Sequence, residues 1–351
     1  MHKSLILFAF ALLAQPVFSQ KPEYEVTSIG FYNLENLFDT IDDPDKNDAD
    51  FLPTGKLLWN SEKYKAKQAN MAKVIAELGT ELTPDGVAVL GVAEIENRRV
   101  LEDLVAQPAI ASRNYQIVQI EGPDERGIDV GVLYQPKYFA LAGAKSVRVD
   151  LTDPKTGEVD RTRDILLVSG SLPGGEALHI MVGHWPSRRG GEGKSAWMRA
   201  AAAGVCRALV DSLQTVDPQA KIVVMGDLND DPTNKSITEV LRGRSNPKRM
   251  DASDLYNTVY DFYKAGQGTM AYRDAWSLFD QVLISKPLVS QRVGGWQFYK
   301  AVVFRRDWLV QAEGQYKGYP FRTFDGDLFI NGYSDHLPVY FFMLKKKTAG
   351  K

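Results

Sequence analysis

The chain has 351 residues, 42 Lys+Arg against 44 Asp+Glu, a formal net charge of −2, and 44% hydrophobic residues. That composition is ordinary for a soluble globular protein and excludes a disordered, collagen-like or polytopic membrane chain. The near balance of charge argues against holding nucleic acid by bulk electrostatics alone. Cys206 is the single cysteine, which excludes an intrachain disulfide and a cysteine-built zinc cluster.

In chain order, the first element is an address. Met1, His2 and Lys3 form a short basic start, Leu5 to Ala14 is apolar, and Val17-Phe18-Ser19 precede a cleavable junction at Gln20. Residues 1–19 therefore read as a secretory signal peptide. The apolar run falls short of the ~20 residues of a membrane span, which disfavours an uncut anchor. The mature chain is expected to be exported, periplasmic or extracellular, without a transmembrane segment and with no obligate protein partner evident. No linker or repeat divides it, so residues 20–351 are expected to form one domain, although length alone would allow two of about 150 residues.

Strand patterns cover Glu25 to Tyr32, Gly86 to Ala93, Tyr115 to Ile120, Ile128 to Tyr134, Ile165 to Ser171, Leu178 to Val182, Lys221 to Met225, Gln281 to Ile284 and Pro338 to Met343. Met71, Val74, Ile75 and Leu78 have helical spacing behind Ser61 as a cap, and the alanine-rich stretch from Ser195 to Leu213 is a second helix. Many strands are apolar throughout, as in sheets covered on both faces. The pattern predicts an α/β layered sandwich with helices outside. Between Asp39 and Asp50 lies an acidic loop. It lacks the glycine and closing glutamate of a calcium loop, so it is expected to be solvated.

Polar residues end these strands repeatedly. Asn33 and Glu35 follow the first, Glu94 the second, His184-Trp185-Pro186-Ser187 another, and Asp227-Leu228-Asn229-Asp230 another; Asp280 and Ser334-Asp335-His336 come near the end. Buried carboxylates are costly unless paired or bound to metal, and strand ends of layered α/β folds are where sites gather. Each segment alone has a bland reading: His184 as a core histidine, Asp227 and Asn229 as caps for a helix near Ile237, Asp335-His336 as a turn. Of the remaining histidines, His179 sits mid-strand and reads as structural. Arg188 and Arg189 extend the His184 segment into a basic loop, suited to a flanking phosphate or else a solvated helix entry. Ser187 and Arg126 are placed to face substrate, and Tyr272 to stack on it.

Taken together, in this order, the segments resemble the endonuclease/exonuclease/phosphatase superfamily over nearly the whole mature chain, from Asn33 to His336. The resemblance implies a four-layer sandwich, two mixed β-sheets face to face flanked by helices. It implies a metal-dependent hydrolase of phosphodiesters that uses Mg²⁺, with Mn²⁺ or Ca²⁺ as alternatives. By the same resemblance Glu94, Asn33, Glu35 and Asp335 serve the metal, and His184, Asp227, Asn229, Asp280 and His336 are catalytic, with Asp280 orienting His336. An endonuclease acting on DNA or RNA is the leading expectation. A phosphatase or phosphodiesterase on inositol, sugar or phospholipid esters is the alternative, and an inactive binding module on the same fold comes third.

Overall fold

The computed structural model describes residues 23–153, 155–290 and 294–347; the expected signal peptide, residues 1–19, lies outside them. Thirteen strands make the two large sheets. In chain order they are β1 (Tyr24–Leu37), β2 (Val89–Ile95), β3 (Gln116–Gln119), β4 (Asp129–Tyr134), β5 (Ala140–Val147), β6 (Ile165–Leu172), β7 (Glu176–His184), β8 (Lys221–Asp227), β9 (Gly243–Arg244), β10 (Leu255–Asn257), β11 (Asp280–Ser285), β12 (Gln297–Val303) and β13 (Val339–Lys346). One sheet has the order β12-β13-β1-β2-β4-β3 and the other β9-β10-β11-β8-β7-β6-β5. Both are mixed. In the first, β1 runs parallel to β2 and antiparallel to β13; in the second, β8 runs parallel to β7 and antiparallel to β11.

The inner faces pack on each other. Ile29, Phe31, Val89, Val130, Val132 and Phe341 of one sheet meet Val168, Ile180, Val182, Val223, Met225 and Val282 of the other in a continuous buried cluster. Gly91 sits where a Cβ would lie 2.7 Å from Met225 Cε and 3.1 Å from Val182 Cγ2, so side chains of the facing sheet pack onto its bare backbone. Three helices cover the outer faces: α1 (Ser61–Glu77), α2 (Arg98–Val105) and α3 (Glu192–Val216). Met71, Val74 and Ile75 of α1 and Leu101 and Leu104 of α2 seal the outer face of the first sheet. Ala202, Ala203, Cys206 and Val210 of α3 seal the second. The result is the four-layer sandwich of two mixed sheets flanked by helices.

All nine predicted strands are present, within a few residues of their expected limits, and the two predicted helices are too. The cap of α1 is Asn60 rather than Ser61; the Asn60 side chain accepts from the amides of Glu62 and Lys63. Eight-residue α2 escaped the pattern because it is short, yet Asn97 caps it through the amide of Val100. The acidic loop is less solvated than expected. Asp39 and Asp48 are buried, and Asp48 accepts the Asp43 amide at 2.9 Å. Lys46 ties the loop to the carbonyls of Gly122 and Asp124. His179 is a cross-strand partner of Ser169, 2.8 Å from its hydroxyl, as a structural histidine would be.

Candidate active site

Topology explains why the polar strand ends meet. Parallel neighbours end together, and an antiparallel neighbour starts where they end. Asp227, the last residue of β8, lies in register with His184 at the end of β7 and with Asp280 at the start of β11. In the other sheet Asn33 pairs with Ala93, one residue before Glu94, and β13 begins just after His336. Both sheets thus deliver their polar ends to one edge of the sandwich.

The local backbone is irregular at this edge. Register shifts fall between Asn33 and Leu37 and between Ala93 and Ile95, and Glu94 and Asn229 hold left-handed φ of 57° and 50°. A bulge re-aims a side chain out of the sheet's alternation, and strained backbone of this kind concentrates at functional sites. Beside Asp227, a Cβ on Gly226 would lie 2.0 Å from the carbonyl oxygen of Gly183, so glycine lets these two strands close on each other.

Asn33 is the hub between the sheets. Its amide oxygen accepts the Glu35 N–H at 2.9 Å, which turns its NH₂ to donate to Glu94 Oε1 at 3.2 Å and Asp227 Oδ2 at 3.1 Å. Glu94 Oε2 accepts the Asn36 amide at 2.9 Å. His184 Nε2 faces the same two carboxylates, 3.8 Å from Glu94 and 3.7 Å from Asp227. Asp227 Oδ1 accepts the Asn229 amide, and the Asn229 side chain donates to the Trp185 carbonyl. Asn229 therefore steadies Asp227 and the end of β7.

Asp280 and His336, 56 residues apart in sequence, meet at 2.7 Å between Oδ2 and Nδ1. Both are buried. The turn before β13 is held by Ser334, whose hydroxyl donates to the Asn33 carbonyl and accepts the His336 amide. His336 Nε2 then lies 3.7 Å from Asp227 Oδ2. Burial acts to lower the His336 pKa, but the Asp280 and Asp227 charges outweigh it and hold the imidazole well above its ordinary value. His184 is the reverse case: burial, then Arg163 and Arg126, hold it well below, so it stays neutral. Asp227 is pushed up to about 7, first by burial and then by Asp280 and Glu94, against the opposing pull of His336. Three buried groups in contact thus have sharply different proton affinities, the pattern expected of an acid–base site.

The other predicted residues divide. Ser187, Arg126, Arg189 and Asp335 line the same pocket, about 490 Å³, as Glu94, His184, Asp227, Asn229 and His336. Glu35 does not join them. Its carboxylate accepts the amide and hydroxyl of Thr323 at 2.7 Å each, and Arg322 and buried Lys67 lie at 3.3 Å and 3.7 Å. A carboxylate so fully engaged anchors the loop before His336. Arg322 also reaches Asp335 at 3.2 Å, linking that anchor to the pocket. Arg188 is likewise committed: its guanidinium bonds Asn229, Glu192, Asp231 and Asn234 and lies over the Phe279 ring. Tyr272 is 62% exposed on a hairpin tip under Arg273, outside the pocket lining. The sequence reading missed Arg163, which is buried and joins Asp124 to the carbonyls of His184 and Trp185. It also missed Thr269, whose hydroxyl accepts the Asp280 amide. Neither carries a spacing signal.

The donor set fits a hard divalent cation. Carboxylate oxygens of Glu94 and Asp227 converge on one amide and one imidazole, and Asp227, Asp280 and His336 bring ligand atoms within 4.8 Å of one another. The imidazole of His336 is engaged by Asp280, so the oxygens of Glu94 and Asp335 are the better ligands.

Solved structures share the fold. TDP2 from Caenorhabditis elegans, in truncated form, superposes with a TM-score of 0.53 at 15% identity, covering 91% of this chain and 97% of that one. TDP2 from D. rerio complexed with a single-strand DNA product gives 0.53 at 14%, covering 91% and 98%. A Bacteroides thetaiotaomicron protein of the endonuclease/exonuclease/phosphatase family gives 0.53 at 16%, covering 93% and 100%. No curated protein sequence matches the chain. The profile of the endonuclease/exonuclease/phosphatase family matches residues 28–345. The chain belongs to that family and is a metal-dependent hydrolase of phosphate esters.

Proposed function

We propose that the protein is an exported, Mg²⁺-dependent phosphodiesterase that cleaves nucleic acid as an endonuclease, built as one domain behind a cleaved signal peptide at residues 1–19. The observation that carries the chemistry is the Asp280–His336 pair, 2.7 Å apart, facing Asp227 in a pocket shared with Glu94. Glu94 and Asp335 would hold the cation. When bound, it supplies charge neutralisation on the non-bridging and leaving oxygens of the phosphate.

The chain's own groups do the rest. Asp227, held by the Asn33 NH₂ and the Asn229 amide and 3.7 Å from His336, is placed to take a proton from an attacking water. As the new P–O bond forms and the bond to the leaving oxygen breaks, charge builds on the phosphate. The imidazolium of His336, kept charged by Asp280, stabilises that charge, as does the NH₂ of Asn33. Neutral His184 adds a hydrogen bond rather than a charge.

Nucleic acid is favoured by arginines on the pocket rim and by the DNA product held by the zebrafish relative of the same fold. A panel of DNA, RNA, bis(p-nitrophenyl) phosphate, inositol phosphates and sphingomyelin, each with Mg²⁺ and with EDTA, tests the reading. Cleavage of DNA or RNA that stops in EDTA is expected. Turnover confined to inositol or lipid esters would move the substrate to that class. Export is tested by fractionating cells that express the full chain; a product retaining residues 1–19 in the cytoplasm would contradict it.

A further inference from the structure

One wall of the catalytic pocket is not used by the chemistry above. It is lined by Arg126, Arg161, Thr162 and Arg189. Arg161 and Arg189 are exposed, and neither side chain makes a hydrogen bond, ion pair or ring contact with the described residues. The guanidinium of Arg126 meets only Asp124, at 3.6 Å. Thr162 is 4% exposed, and its hydroxyl has no hydrogen-bond partner. A buried hydroxyl is ordinarily paired. Free guanidinium forks and an unpaired hydroxyl in one pocket are the donor set of an oxyanion site.

The wall is built rather than incidental. Arg163, 7% exposed, donates to Asp124 at 3.0 Å and to the carbonyls of His184 at 3.1 Å and Trp185 at 2.9 Å. The other oxygen of Asp124 accepts the Arg126 amide at 3.0 Å. One buried arginine thus fastens the Arg126 loop to the strand end that carries His184. Arg161 and Thr162 immediately precede it, and Arg161 ends a short hairpin in register with Asp150. Asp124 is matched by Arg163; the other carboxylates on this wall, Glu125 and Asp160, are exposed to solvent.

We propose that Arg126, Arg161, Thr162 and Arg189 hold a second phosphate of the substrate, one that is not cleaved, while Glu94, Asp227 and His336 act on its neighbour. The inference rests on the phosphodiesterase reading and deepens it: the preferred substrate carries at least two phosphates within one pocket length. A polynucleotide supplies them, and so does a polyphosphorylated small molecule.

The test uses the full mature chain, wild type, Arg161→Ala, Arg161→Lys and Thr162→Val, with thymidine dinucleotides that differ only in a terminal phosphate: TpT, pTpT and TpTp. Wild type is expected to prefer one phosphorylated form by tenfold or more in kcat/KM. Arg161→Ala is expected to abolish that preference, Arg161→Lys to keep part of it, and Thr162→Val to reduce it. On single-stranded oligonucleotides the salt slope should fall by about 0.7 for the lost contact. Competition by inositol hexakisphosphate that Arg161→Ala abolishes, with no change in oligonucleotide salt slope, would support the subsite and assign it to a small polyphosphate. No preference among the dinucleotides, or equal losses on all three, overturns it. If wild type cleaves none of them, nor bis(p-nitrophenyl) phosphate, with any divalent ion, the phosphodiesterase reading fails. Anisotropy of a 5′-phosphorylated oligonucleotide then still decides the subsite: equal Kd for wild type and Arg161→Ala overturns it.

Discussion

Asp280→Asn isolates what the buried carboxylate does for His336. The substitution keeps shape and leaves an oxygen to accept from Nδ1, so no cavity forms and only the charge is lost. Asp280 is fully buried and 2.7 Å from the ring, and its Oδ1 has no other partner. Removing one member of a buried ion pair costs about 3–5 kcal/mol. Asp227 still faces the ring at 3.7 Å, so the cost here belongs at the lower end, about 3 kcal/mol. With the Asp280 charge gone, burial dominates and the imidazole pKa falls. The sign of the pH dependence follows. A histidine raised by folding contributes stability that is complete below its unfolded value of 6.5 and is lost as pH climbs through the raised folded value. The stability gap between wild type and variant should therefore be widest below pH 6.5 and close at high pH. Urea unfolding of the metal-free proteins across pH reads the gap, and imidazole NMR shifts read the ring directly. Activity at neutral pH should drop by about 10²–10⁴, the usual worth of a positioned acid–base group. An Asp280→Asn protein whose His336 titrates as in wild type, or whose stability gap is the same at every pH, would refute the reasoning.

Asp227 carries the opposite sign. Its carboxyl is raised from 3.8 to about 7 by burial, so its ionisation opposes folding, with no cost below pH 3.8 and the full cost above about 7. Metal-free Asp227→Asn should be more thermostable than wild type at pH 8 and closer to it at pH 4, and it should stay inactive when Mg²⁺ is restored; lower stability at every pH would contradict this. Glu94→Gln should weaken Mg²⁺ binding, measured by calorimetry, at least tenfold more than Glu35→Gln, whose carboxylate is engaged by Thr323, Arg322 and Lys67. Arg163→Met should cost about 3–5 kcal/mol in urea unfolding, because it strands the buried Asp124 carboxylate; a loss under about 1 kcal/mol would show that the clamp is not structural.

Much of this site was legible in sequence because its residues sit at the ends of apolar strands. Glu94, His184, Asp227 and Asp280 each follow or open such a run, and a strand's length and polarity are local properties. The pairing of Asp280 with His336 was legible only through the family resemblance, since nothing local links residues 56 positions apart. Three features could not be read locally. Glu35 sits two residues from Asn33 but turns to Thr323, because left-handed backbone at Glu35 and Asn36 breaks the strand's alternation. Arg188 and Arg189 are adjacent and chemically alike. Arg188 is absorbed by carboxylates of the Asp230–Asp231 loop and by Glu192, while Arg189 faces the pocket. Arg163 looks like any charged residue in a polar stretch, and its burial follows from two carbonyls and a carboxylate brought from distant segments. The strands at Ala140–Val147 and Gln297–Val303 were missed for a simpler reason: they are edge strands, the first largely exposed and the second half-buried, and charged or polar residues interrupt them.

The most direct test of the account is hydrolysis of bis(p-nitrophenyl) phosphate by the purified mature chain, after exhaustive chelation and again on adding Mg²⁺, in wild type and His336→Ala. Background rates in EDTA, recovery of wild type with Mg²⁺, and no recovery of the variant are expected. Full activity in EDTA, or a His336→Ala protein as active as wild type, would contradict it.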